Sequence, residues 1–319
     1  MYYLGILSGI LSGIANFLGQ ILQKKAINDI NKRKGTMTFK DVVTHPVWIS
    51  GMACLLIFST LFLIFAQLYV GPALIPGLIA SGFIVLAIGS AKILGEKLNK
   101  EEIIAIGMLM VAIICLSASK LSIEPDMDLF KGEFFVNRIA IVTSMCIVLW
   151  LYLFYLGRKS KKKKAILLSL GTAFPFIVGN IWMAPFIVTV GQLFSGALTP
   201  VTTRVLIIST ILVAVVNIGG MVNMQIAMAE GNASIVIPMM QIPQQLSPVI
   251  IYFVIYAHKA PHISSYFLLI IAIALITYAG FLLTRRQTEL ERLLAAQAKA
   301  QLEPQKQEEK EEEDAKLAN

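Results

Sequence analysis

Charge is scarce in this sequence. Of 319 residues only 14% are Asp, Glu, Lys or Arg, while 57% are hydrophobic. A soluble domain carries about 25% charged residues, so an ordinary soluble fold is excluded. Cysteine is scarce as well. Cys54, Cys115 and Cys146 lie far apart in apolar stretches, with no CxxC pair and no Cys/His cluster. That spacing excludes a disulfide framework and a zinc site, and leaves the three as small buried hydrophobes. No cofactor is expected, and no metal ligand set can be named. The long apolar stretches also lack Asp, Glu, His and Lys at their centres. This removes the titratable group of a proton-coupled carrier and the nucleophile–base or paired-acid sets of an intramembrane hydrolase. GxSxG, HExxH and P-loop patterns are absent too. An enzyme is not expected.

What is present is a series of nine apolar runs, at 3–23, 47–69, 73–94, 102–119, 134–156, 165–190, 204–229, 233–256 and 263–283. About 20 helical residues cross the ~30 Å hydrocarbon layer, so each run predicts a membrane-spanning helix. The first residues, MYYLGIL, lack the positive segment that opens a cleavable leader, so the first span is expected to remain as a helix. The fold expected is therefore an all-α membrane protein whose lipid partner is the bilayer.

The net charge of +8 does not point to nucleic acid, because the basic residues fall between the spans. Loops after odd-numbered spans hold Lys24, Lys25, Lys32, Arg33, Lys34, Lys40, Lys97, Lys100, Arg158, Lys159 and Lys161 to Lys164. The tail adds Arg285, Arg286 and Arg292, and the other side offers Lys120, Lys131, Arg204 and Lys259. The positive-inside rule then places the chain in the plasma (inner) membrane with the N-terminus outside and the C-terminus cytoplasmic. After Leu283 a short amphipathic stretch runs into the acidic, low-complexity QKQEEKEEEDAKLAN, expected to be solvated and largely disordered.

A weak internal repeat organises the spans. IFAQLYVGPALIPG parallels VNMQIAMAEGNASIVIP, matching Gln67 with Gln225, Gly71 with Gly231 and Pro76 with Pro238; Asn16 matches Asn180. The expected layout is two inverted four-helix repeats, 1–119 and 165–283, joined by a linker helix and basic loop over 120–164, with a charged tail over 284–319. Inverted repeats place a site near the bilayer midplane between the halves.

The richest stretch for such a site is EGNASIVIPMMQIPQQLSPVIIYFVIY at 230–256. At 100° per residue, Ser234, Pro238, Gln241, Gln245 and Pro248 share about a quarter of the helix circumference. Polar groups facing lipid cost several kcal/mol each, and each proline frees a carbonyl one turn back. The stripe therefore reads either as a substrate path or as interhelical hydrogen bonding. The first span carries a glycine ridge, Gly5, Gly9 and Gly13, beside a polar one, Ser8, Ser12, Asn16 and Gln20. In the seventh span Asn217 shares a face with Gly220 and Met224. The candidate path is Gln241, Gln245, Pro238, Asn16, Asn180, Asn217 and Gln67, with Glu96 a candidate gating residue.

LGEKLNKEEIIAIGMLMVAIICL at 94–116 resembles the end of a repeat in the drug/metabolite transporter (EamA-like) superfamily. GNASIVIP at 231–238 and QKKA at 23–26 are similar to segments of the NIPA-like magnesium transporter family, and the resemblance covers residues 4–283. It implies nine spans and passage of magnesium or another divalent cation. Three departures bear on substrate. Thr60 stands near the family's usual carboxylate, Gly95 replaces an Asn, and His258 and Lys259 stand where a Lys–Glu pair is favoured. Mg²⁺ binds through one or two carboxylates and its own waters, whereas the Gln/Asn lining suits a small neutral or zwitterionic metabolite at least as well. A non-transporting scaffold is the third alternative, and a homodimer is left open.

Overall fold

The computed structural model describes residues 2–34, 38–70, 75–121, 127–160 and 163–317, with side chains through Leu293 apart from Lys34, Phe39 and Glu291. Among these residues the fold is all-α. Nine helices are long and apolar enough to cross a membrane: α1 (Tyr2–Lys34), α2 (Pro46–Val70), α3 (Ile75–Lys92), α4 (Lys100–Ala118), α5 (Glu133–Lys159), α6 (Lys164–Phe194), α7 (Pro200–Glu230), α8 (Ala233–Ile255) and α9 (Ile263–Leu317). The multi-pass membrane architecture is thus as the apolar runs require. Helix α9 continues through the charged tail as far as Leu317.

Local chemistry sets the helix starts. Asn99 Oδ1 accepts from Lys100 N at 2.6 Å to open α4. Thr199 and Thr202 exchange side-chain-to-backbone bonds in a capping box, with Pro200 at the first helical position of α7. Two helices carry a π turn, Cys54–Phe58 in α2 and Ile251–Ile255 in α8. The second follows Pro238, Pro243 and Pro248, which withhold three backbone donors from α8.

The two halves pack in the same order. Helix α1 lies against α2 and α3, α6 lies against α7 and α8, and α4 packs on α9. Two glycine pairs let α1 approach its neighbours backbone to backbone. A Cβ on Gly13 would stand 2.4 Å from Ile79 O, and one on Gly82 would stand 2.3 Å from Gly13 O. Gly19 and Gly51 are reciprocal, each with its absent Cβ about 2.6–2.7 Å from the other's carbonyl. The ridge of small residues in α1 is therefore a packing surface. The first half of α8 lies at the centre of the main core. Ile235, Ile237, Met239 and Met240 are all buried there with Ile21, Phe83, Leu109 and Met228.

Contacts at the helix ends fix the alternation of the spans. Lys24, in the last third of α1, reaches Gly231 after α7, Glu96 before α4 reaches Ala233 in α8, and Lys164 in α6 pairs with Glu230 in α7. At the opposite end Phe130, Phe135, Trp182, Tyr256 and His258 form an aromatic cluster. The matched prolines differ in environment: Pro238 is buried, whereas Pro76 is exposed. The repeat partner Gly71, the 122–126 loop and residue 319 lie outside the described residues.

Candidate functional site: a central amide-lined cavity and its charged corner

Between the halves lies a cavity of about 580 Å³, walled by α1, α2, α6, α7 and α8. Four of the expected path residues line it together: Asn16, Asn180, Asn217 and Gln241. Gln20 and Gln244 complete a set of six amides from four helices. Helical periodicity explains the convergence. Asn16 and Gln20 are one turn apart on α1, and Asn217, Met221 and Met224 repeat at four and three residues on α7.

The hydrogen bonds leave oxygens available. Gln20 Nε2 donates to Asn16 Oδ1 at 2.7 Å, while Gln20 Oε1 is buried without a partner among the described residues. Asn217 spends its Nδ2 on Val213 O at 2.7 Å, the carbonyl one turn back. Gln245 does not line the cavity. It donates through Nε2 to Gln241 Oε1 at 3.2 Å and so orients the amide that does.

Two further expected path residues, besides Gln245, do not line the cavity. Pro238 is buried in the main core, one turn below the cavity wall, and Gln67 is exposed on α2. Gln67 was placed by its repeat match to Gln225, yet Gln225 does not line the cavity either. Gln225 accepts from Trp48 Nε1 at 3.2 Å and donates to Gln23 Oε1 at 2.6 Å, a buried chain joining α7 to α1 and α2.

The rest of the wall was not anticipated as a site. Met183, Met221, Met224 and Met240 line it with Phe176, Leu55 and Leu56. Methionine at helical spacing reads as ordinary core, and no signal separates a cavity thioether from a packed one. These flexible, polarisable side chains make an adaptable apolar surface. Leu56 and Ile218, on α2 and α7, are exposed at the rim, while lower down the two helices meet through Trp48 and Gln225. The cavity thus has a lateral mouth between them.

No family model matches the chain. No curated protein and no solved structure matches it either.

Below the cavity, at the basic end of the bundle, charged groups of the first half hold the α7–α8 corner. Gly95 has φ +70° with nothing within 4 Å of its absent Cβ, so the turn, not crowding, calls for glycine there. The turn brings Glu96 to the start of α8, where Oε1 accepts from Ala233 N at 2.7 Å and Oε2 from Ser234 N at 3.0 Å. A carboxylate on two orphan amides at a helix N-terminus meets both the unsatisfied donors and the helix dipole. Lys24, buried, donates to the carbonyls of Met228 and Gly231, which close α7. Beside them Arg286 of α9 donates to the buried Glu102 of α4 at 3.0 Å. Among the described residues no cluster of three or more His, Cys, Asp or Glu is placed to hold a metal ion.

Proposed function

We propose that this chain is a multi-pass membrane transporter whose central cavity carries a small neutral or zwitterionic solute with an apolar body and hydrogen-bond donors. One observation carries the reading. Six amides and four methionines share a cavity of about 580 Å³ at the meeting of the two halves, within the 300–1,000 Å³ range of small-molecule sites. Amide oxygens on Asn180 and Gln244, unengaged among the described residues, would accept from a solute N–H or O–H, and the methionine wall would take its apolar part. A buried acceptor left unmatched costs about 1–3 kcal/mol, so this lining discriminates against a solute without donors.

Passage of magnesium or another divalent cation rests on the NIPA-like resemblance. Amide oxygens can accept from the waters of a hydrated ion. They do not offset its charge, and the methionine wall would strip hydration without replacing it. The inverted-repeat plan belongs to the same proposal: halves packed in one order, with a site between them, suit alternating access. In this reading the basic end, with its Glu96 and Lys24 contacts, faces the cytoplasm.

The deciding experiment is uptake into proteoliposomes, comparing Mg²⁺, Co²⁺ and Ni²⁺ with a pool of labelled amino acids and other small neutral solutes. Saturable uptake from the solute pool without metal flux is expected. Metal flux alone would overturn the reading in favour of the cation carrier.

A further inference from the structure

On the far side of α6 from the central cavity, a second concavity of about 530 Å³ opens between α5 and α7. Both helices pack on α6 and leave a cleft floored by Trp182. The floor is closed to polar chemistry, because Trp182 Nε1 already donates to Thr143 Oγ1 at 2.9 Å. At the inner end the cleft is stopped where Trp150 lies against Gly219, whose absent Cβ would stand 2.3 Å from the indole ring. Its walls run from Val136 to Ile147 on α5 and from Val201 to Leu212 on α7. Eleven helical steps on each side make a groove about 17 Å long, close to one leaflet of a ~30 Å hydrocarbon layer.

Arg204 stands at the outer end of this groove, just inside the start of α7. Its guanidinium has no hydrogen-bond or ion-pair partner among the described residues. The threonines around it are already engaged: Thr199 and Thr202 cap the helix, and Thr203 donates to Thr199 O at 2.9 Å. A cation at the edge of an apolar groove is costly without an anion, and an arginine fork suits a phosphate. Wall residues such as Ile208 and Val136 are exposed outside the bundle, so the groove opens towards the bilayer.

We propose that this groove binds one anionic phospholipid of the leaflet at the N-terminal end of α7, its acyl chain on Trp182 and its phosphate on Arg204. The groove's length of one leaflet, its apolar floor and its single cation at headgroup height together select a lipid. The site is separate from the central cavity and does not depend on what that cavity carries.

Brominated acyl chains quench a tryptophan they touch, so Trp182 reports occupancy directly. The full-length protein is placed in bilayers of brominated phosphatidylglycerol or brominated phosphatidylcholine diluted into unbrominated lipid. The Trp182 component is taken as the difference from Trp182→Phe. Phosphatidylglycerol is expected to occupy the groove with about fivefold higher relative affinity, the effect of one cation on an anionic lipid. Arg204→Gln should abolish that preference and Arg204→Lys should keep most of it. Equal quenching by the two lipids would overturn the proposal, as would a preference surviving in Arg204→Gln. A second readout does not use tryptophan. Native mass spectrometry should find one retained phosphatidylglycerol per chain, lost when Ala140→Phe fills the groove. Retention unchanged in Ala140→Phe would place the lipid elsewhere and refute the site.

Discussion

Glu96 holds Ala233: its Oε1 accepts the backbone N–H that opens α8 at 2.7 Å, across 137 positions of sequence. One carboxylate of the first half thereby fixes the start of the helix that carries Gln241 and Gln244 into the cavity. Glu96→Ala should destabilise the protein by about 1–2 kcal/mol, the usual worth of a helix cap. In transport it should change the maximal rate and leave the half-saturation concentration unaltered, because Glu96 touches the corner and not the cavity. Thermal melting and initial-rate uptake on the same preparation check both halves of this expectation.

Gln241 and Gln245 are expected to separate. Gln241→Leu removes a cavity amide and should lower flux at least about tenfold, equivalent to ~1.4 kcal/mol at the limiting step. Gln245→Leu removes only the donor that orients it, and the loss should be several-fold smaller. Leucine roughly keeps volume and helix propensity, so expression should be normal in both. Flux corrected for protein amount decides; equal effects would show that Gln245 itself meets the solute.

Lys24→Met keeps the length of the side chain and removes the donor to Met228 O and Gly231 O. Two carbonyls at a buried helix end then lose their partner, at a cost of about 1–3 kcal/mol. A lowered melting temperature in detergent is the expected outcome, with Lys25→Met, on a less buried neighbour, as the reference.

Two glycines test the packing of α1 in opposite directions. Gly82→Ala must push against Gly13 O and should destabilise by about 1–3 kcal/mol. Gly107→Ala in α4 meets nothing within 4 Å and should stabilise by about 0.5–1 kcal/mol through backbone entropy alone. Melting temperatures moving in the same direction would contradict the close approach of α1 and α3.

Orientation is checked by labelling. A cysteine at Ser160, after α5, should resist an impermeant thiol reagent in intact cells. One at the exposed Ser195, after α6, should react. The reverse pattern would turn the bundle over.

Much of the bundle was legible because its signals are local. Nine apolar runs of bilayer length specify nine helices, and the small-residue ridge of α1 specifies a surface that others can approach. The amides of the cavity were legible for the same reason: an Asn or Gln inside a lipid-length helix must find protein or water, and its turn can be counted. Gln67 was misplaced because its position came from a repeat match, and the match itself leads to Gln225, a residue spent on packing. Pro238 was placed by its face on α8, but that face changes neighbours within one turn, from buried core to cavity wall. The Glu96 contact had no local signal at all. The first turn of α8 contains no acidic residue, and nothing in the sequence announces that its counter-charge comes from another helix pair.

The backbone of the corner from Met228 to Ser234 is held twice by side chains of the first half, by a cation on its departing carbonyls and by a carboxylate on its arriving amides. Neither anchor can stand in for the other, since one only donates and the other only accepts. The corner therefore behaves as a lock with two keys. Breaking Glu96 alone leaves the α7 end fastened, and breaking Lys24 alone leaves the α8 start fastened. Any movement that carries the corner away has to release both together, so the barrier to that movement belongs to the pair.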